Sequence, residues 1–207
     1  MRVSLKSATL AAAVLTLGCG LLSYPARAAE SDPAASQIEA FDNALLSTMK
    51  EGPSLGMKGR FRKLQPAVER AFNLPAMAQY TVGPAWAKFS DAEKAAVIAA
   101  FTRYSVANYA SNFSSYSGDV FTIEPKVDER GPDKLVHTRL TPAHHAPVDI
   151  VYRMRQSGGS WKIIDIFYQG SISQLTTRRS DFAATVASGG ATALVAHLNA
   201  LTEKLMK

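Results

Sequence analysis

The 207-residue chain contains a single cysteine, Cys19. It lies inside an N-terminal stretch that reads as an export leader, so the remainder has no disulfide framework, no Cys-based metal site and no thiol redox centre. Only four histidines occur. No HExxH pattern is present, and His144 and His145 are adjacent, so in extended chain they point to opposite sides and do not converge on a metal. Phosphate-cradling and dinucleotide glycine fingerprints are missing too. Gly170-Ser171-Ile172-Ser173 lacks the glycine that would complete a nucleophile elbow. Nor is there a strong charge of either sign. The net charge of +6 falls to +3 once the leader, which carries Arg2, Lys6 and Arg27 and no acid, is set aside. A balance that mild argues against a nucleic-acid binder, while a weak attraction to anionic lipid head groups stays open.

Long apolar runs are confined to the N-terminus. Arg2 and Lys6 form a positive region, residues 8–22 an apolar one, and Ala26-Arg27-Ala28 after Pro25 supplies the small residues that a signal peptidase reads. The run is too short, and too well followed by a cleavage site, for a membrane span. Leu17-Gly18-Cys19 has the look of a lipid-attachment core, but Thr16 stands where that pattern wants an aliphatic residue. Cleavage after Ala28 is the expectation, leaving residues 29–207 as one soluble domain, long enough for a substantial core.

Helical spacing dominates the first half of this segment. Ile38, Phe41, Leu45 and Met49 mark an amphipathic helix that Gly52-Pro53 should end. Phe61, Leu64, Val68 and Phe72 mark another, with Pro66 implying a kink or a start. Pro75 opens a short helix to Tyr80, and Gly83-Pro84 breaks it. Ser90 with Glu93 three residues later is a capping box, so a helix begins at Asp91. Val97, Phe101, Tyr104 and Asn108 recur on one of its faces; Val106, Tyr109 and Phe113 recur on another. A helix apolar on two sides must be covered on two sides, by protein or by an apolar ligand.

After Gly118 the period changes to two. Strands are expected at 120–123, 134–140, 147–155 and 161–168, the last two joined by a hairpin over Gln156-Ser157-Gly158-Gly159-Ser160. The fourth strand is apolar on both faces and reads as central. Two helices close the chain, broken at Gly189-Gly190, the second carrying Leu194, Leu198, Leu201 and Leu205. Helices, an antiparallel meander and helices again make an α+β architecture.

Several segments, in order, carry a family resemblance: Phe72-Asn73-Leu74 through Gly83 and Trp86, Phe89-Ser90 with Phe101 and Tyr109, Trp161-Lys162-Ile163-Ile164-Asp165, Gly170-Ser171-Ile172-Ser173, and Arg178-Arg179 with Phe182. Together they cover most of residues 29–207. The chain resembles the MlaC, or toluene-tolerance, family of periplasmic phospholipid-binding proteins. It looks closest to the hopanoid-associated HpnM branch, on account of Gly170-Ser-Ile-Ser-Gln-Leu. The resemblance implies an NTF2-like cone, in which a curved antiparallel sheet and the helices before and after it enclose an apolar cavity. It implies a periplasmic carrier that moves phospholipid or hopanoid between an inner-membrane transporter complex and outer-membrane lipid machinery, as a monomer, without a cofactor and without catalysis.

The lipid-lining candidates are Val97, Phe101 and Tyr104 on the capped helix and Ile150, Tyr152, Ile164 and Ile166 on the sheet. Each has ordinary core packing as its alternative. Lys58, Arg60, Arg62 and Lys63 form a basic cluster for head groups or a partner, or simply a solvated helix face. Two further readings stand beside the carrier. One is an adaptor of a membrane transport complex with no cavity. The other is a cone-fold isomerase or hydratase using Asp149, Asp165 or His137, although no His and carboxylate stand at a diagnostic spacing.

Overall fold

The computed structural model describes residues 31–207; the leader, its cleavage site and Cys19 lie outside the described residues. Helix α1 (Pro33–Ala71) is followed by α2 (Leu74–Val82), a 3-10 turn (Gly83–Lys88) and α3 (Asp91–Asn112). Strands β1 (Val120–Ile123), β2 (Asp128–Arg130), β3 (Asp133–Thr141), β4 (Val148–Ser157), β5 (Ser160–Tyr168) and β6 (Ile172–Ser173) come next, and α4 (Gln174–Leu205) ends the chain. The sheet is antiparallel in the order β1-β3-β4-β5-β6, with β2 pairing β3 beyond β1. Helices before and after an antiparallel sheet, packed around a shared core, are the α+β arrangement expected from the sequence.

Local chemistry explains most boundaries. Asp32 caps α1 by accepting from the Ala34 amide, and Asn73 caps α2 by accepting from Ala76. The Ser90–Glu93 capping box of α3 forms in both directions. Ser173 caps α4, and behind it the buried Asp165 accepts from the Leu175 amide and the Ser173 hydroxyl. Asp165 thus anchors the start of α4 to β5, which uses up the carboxylate that a catalytic reading would need. Asp149 is likewise paired with Arg139 at 2.7 Å, and His137 with Asp128 at 3.2 Å.

Three expectations are corrected. The first helix does not end at Gly52-Pro53: α1 runs on, and its one non-helical residue is Gly56, with φ 59° and ψ 178°. Gly52 is kept small by packing, because a Cβ there would lie 2.0 Å from the Ser114 carbonyl oxygen just past α3. The basic cluster is divided: Lys58 and Arg62 are exposed, as on a solvated helix face, whereas Arg60 and Lys63 are engaged within the fold. Arg60 donates to the carbonyls of Ala110 and Gly52, and Lys63 pairs with Glu51 at 2.7 Å. Finally, β4 rather than β5 is the central long strand. The far side of β5 carries only two-residue β6 and the bridge from Phe72 to Ile163.

A β-bulge at Arg153/Met154 shifts the pairing, so that Tyr152 faces Ile166 while Met154 faces Ile163. An extra residue on β5 is absorbed there, and the core-facing series becomes Ile163, Ile166, Tyr168. Simple alternation put Ile164 on the face of Ile166; the bulge sends it to the opposite side.

The close approach at Gly52 gives a direct test. Gly52→Ala is expected to cost on the order of 2 kcal/mol or more, because backbone must move. The melting temperature should fall by roughly 5 °C or more for a chain this size. Gly59→Ala is the comparison: its Cβ would lie 2.9 Å from the Leu55 Cβ, so it should cost something, but clearly less than a 2.0 Å approach to the Ser114 carbonyl. Equal effects from the two would refute the tight contact between α1 and the end of α3.

Candidate lipid-binding site

Helix α3 supplies most of the site. Its Phe101–Tyr104 face turns towards α4 and its Tyr109–Phe113 face towards α1 and β1, so neither face meets solvent along its whole length. Between them α3, α2, the end of β5 and the first turn of α4 enclose a cavity of about 80 Å³. Its walls are Phe101, Tyr104, Tyr109 and Phe113 from α3, Leu74 and Met77 from α2, Ile166 and Tyr168 from β5, and Phe72 and Leu175 from the adjoining chain. Polar side chains also reach it: Ser105, Asn108 and Asn112 from α3, Gln174 and Arg178 from α4. Aromatic and aliphatic walls interrupted by polar groups are a composition able to hold an apolar molecule and orient it.

Arg178 is the cation of the site. Its guanidinium lies 5.0 Å from the centre of the Tyr104 ring, within range of a cation–π attraction. Its acidic neighbour Asp181 is 4.0 Å away, at the limit of an ion pair, and half exposed. Burial raises the phenol pKa of Tyr104 and Tyr168, and Arg178 works against that rise in both. The rings therefore stay neutral and Arg178 retains most of its capacity to meet an anion.

The sequence-based candidates divide. Phe101, Tyr104 and Ile166 line this cavity. Val97, Ile150 and Tyr152 are buried in the core and do not line it. Ile164 lines a separate groove with Asn73, Tyr80, Arg153 and Arg155 on the other side of β5. In that groove Arg153 and Arg155 are both held by the fully buried carboxylate of Asp133. Residues that periodicity did not single out as lining are Phe72, Tyr168 and Arg178. For Arg178 the available signal was a cation one turn ahead of Phe182 on an otherwise apolar helix stripe.

One buried group has no place in this lining. Asp42, 3% exposed on α1, has neither carboxyl oxygen in a hydrogen bond. Burial raises its pKa to about 8, and the hydroxyl of Tyr152 eases ionisation only slightly. The Tyr152 hydroxyl is thus the carboxyl's nearest polar neighbour, close enough to favour its ionised form. Asp42 in turn pushes up the phenol pKa of Tyr109 and Tyr152, adding to what burial does.

A helical roof on an antiparallel sheet, with a cavity walled by aromatic rings and one cation beside it, defines a small non-covalent binding fold. Residues 39–200 match the family described as MlaC protein, and the chain belongs to that family. A solved structure described as a phospholipid-binding protein from Ralstonia solanacearum, in complex with a phospholipid, superimposes with a TM-score of 0.73. The match covers 85% of this chain and 100% of that one at 20% sequence identity, which establishes the shared fold.

The raised pKa of Asp42 has a definite sign. A carboxyl that titrates near 8 when folded and near 4 when unfolded binds more protons in the folded state between those values. Stability therefore falls as pH rises from about 4 to about 8 and levels off above. Asp42→Asn removes this slope, so the stability of the variant relative to the wild type should climb across that window. Denaturant titrations at pH 5 to 9 measure it, and parallel profiles would mean that Asp42 is solvated.

Proposed function

We propose that this protein is a periplasmic lipid carrier that binds its cargo non-covalently and exchanges it with membrane-embedded transport machinery. The observation that carries the reading is the aromatic cavity between α2, α3, α4 and β5, with Arg178 at its polar side. Membership of the MlaC family and the lipid-bound relative of the same fold support it. So does the export leader read from the sequence. Among the described residues no helix is long and apolar enough to cross a membrane.

Energetics favour such a complex. Each methylene withdrawn from water contributes about 0.8 kcal/mol, so a diacyl lipid leaves a bilayer only for a continuous apolar sheath. A cavity of about 80 Å³ lies well below the roughly 300–1,000 Å³ of typical ligand sites, and cargo has to part the walls. The short helix α2 is the wall best able to move. It is nine residues long and flanked by Gly83, whose φ of 70° only glycine adopts freely.

Arg178 fits a phosphate, which favours a phospholipid. Gln174, Asn108 and Asn112 would serve the uncharged hydroxyls of a hopanoid equally well. Native mass spectrometry of protein isolated without detergent, followed by organic extraction, is the deciding experiment. A near-stoichiometric phospholipid or hopanoid is the expected outcome; a bare mass that also refuses added lipid would sink the carrier. Phe101→Asp should abolish retention in folded protein. Arg178→Glu should weaken phospholipid binding about tenfold or more, while leaving a neutral hopanoid unaffected.

A further inference from the structure

The 3-10 turn after α2 and the middle of α4 border a surface groove of about 590 Å³. Val82, Pro84, Phe89, Val186 and Ala191 give it apolar walls. Arg179 borders both this groove and a shallower hollow, lined by Tyr80 and Gly83, that adjoins it at Pro84. We propose that the groove binds a single-tailed anionic amphiphile, its head group held by Arg179 and its chain laid between α4 and the 3-10 turn.

The placement of Arg179 selects an anion. Its guanidinium lies 5.3 Å from the centre of the Tyr80 ring, in range of a cation–π attraction. It also packs on Gly83, the C-cap of α2. A Cβ at that position would lie 3.0 Å from Nη2 and 3.1 Å from both Cζ and Nε. Such nearly equal distances mean that the guanidinium presents its face to the glycine. An exposed arginine is thereby held in one place by α2 and its cap. Its charge is nevertheless unanswered. Among the described residues Arg179 forms no salt bridge, whereas Arg139, Arg153 and Arg155 each reach a carboxylate. A guanidinium fixed through its face keeps its N–H edge for a ligand, and that edge matches the paired oxygens of a carboxylate or phosphate. Because the side chain is already positioned, less ordering entropy is lost on binding.

The other charges of the groove leave room for one anion. Lys88 is exposed and, like Arg179, forms no salt bridge among the described residues. Glu93 is the acid in the lining, and one of its oxygens accepts from both the amide and the hydroxyl of Ser90. Neighbouring Arg178 turns instead to Tyr104 and Asp181. Two cations thus face one acid that is tied to the capping of α3. The apolar part of the groove selects a chain. Val82, Phe89 and Ala191 are buried and form its floor, and from Arg179 to Ala187 α4 runs about 12 Å at 1.5 Å per residue. A head group alone would leave this surface in water, whereas a chain covers it.

The anion can be the carboxylate of a free fatty acid or the phosphate of a single-tailed lipid, and octyl probes separate the two. Calorimetry and amide chemical shifts are followed with n-octanoate, n-octyl phosphate, n-octanol and n-octylamine. The expected result is that an anion binds about tenfold or more tighter than the alcohol or the amine, with shifts at residues 82–89 and 179–191. Tighter binding of octyl phosphate would assign a lipid phosphate; tighter binding of octanoate would assign a fatty acid. Arg179→Gln should weaken the anion about tenfold or more, and Lys88→Gln by a smaller factor. No binding of either anion, equal binding of octanol, or unchanged affinity in folded Arg179→Gln overturns the site. So do shifts confined to α3 and the end of β5, which would place the probe in the aromatic cavity. Phe101→Asp, which tests that cavity, should leave anion binding at Arg179 intact, so this inference and the carrier reading fail separately.

Discussion

Three rings hold the fold at its centre. Phe41 of α1 meets Phe72 and Tyr109 edge-on at 5.2 Å each, and Phe72 lies 5.5 Å from Tyr109. Phe41 and Phe72 bracket the length of α1, while Tyr109 belongs to α3, so this cluster fixes the two helices against each other. Phe72 is also where the chain bridges to Ile163 of β5, which brings the helices onto the sheet at the same point. Edge-on aromatic contacts contribute beyond their buried area. Everything that positions the cavity depends on them: Phe72 and Tyr109 are both part of its wall, and Asp42 follows Phe41 by one residue.

The residues around this cluster differ in size from one side of the core to the other. Val97 and Ala100 of α3 and Leu194 and Leu198 of α4 are small or aliphatic and fully buried. Towards the end of α3 the residues become large and aromatic, and rings of fixed shape leave gaps that aliphatic chains would fill. The narrow cavity follows from that change of residue type. On the α1–β1 side the gap has a different origin: an aspartate replaces the apolar residue that helical spacing calls for one turn after Ile38.

Much of the architecture was legible because it rests on local chemistry. The capping box at Ser90 and Glu93, the hairpin over Gly158-Gly159 and the break at Gly189-Gly190 stand where residue type alone put them. What escaped notice depends on tertiary contact. Gly52 looked like a helix end, yet the backbone of Ser114 requires it to be small. Ile164 looked equivalent to Ile166 until an extra residue on β5 reversed its side. Helical spacing identified Phe101 and Tyr104 as buried. Only the fold distinguishes them, as cavity wall, from Val97 on the same stripe. Asp42 was readable in principle as a carboxylate inside the apolar stripe of Ile38, Phe41 and Leu45, a pattern that periodicity counts pass over because they score the apolar residues alone.

The small size of the aromatic cavity is what the thermodynamics of a carrier demands. A permanent dry void of roughly 1,000 Å³ would cost on the order of 20 kcal/mol, at about 24 cal/mol for each cubic ångström of lost contact. A domain is stable by only about 5–15 kcal/mol, so a protein of this size cannot hold such a space open. Its walls have to be close together and separable. Rigid rings on a long capped helix, opposed by a nine-residue helix that ends at Gly83, are compatible with both conditions. On the carrier reading, lipid tails would supply, as they enter, the contacts that the parting walls give up, and burial of the cargo would offset the free energy of opening. Affinity and release would then be two ends of one movement, since closing α2 on α3 would remove the space that the tails fill.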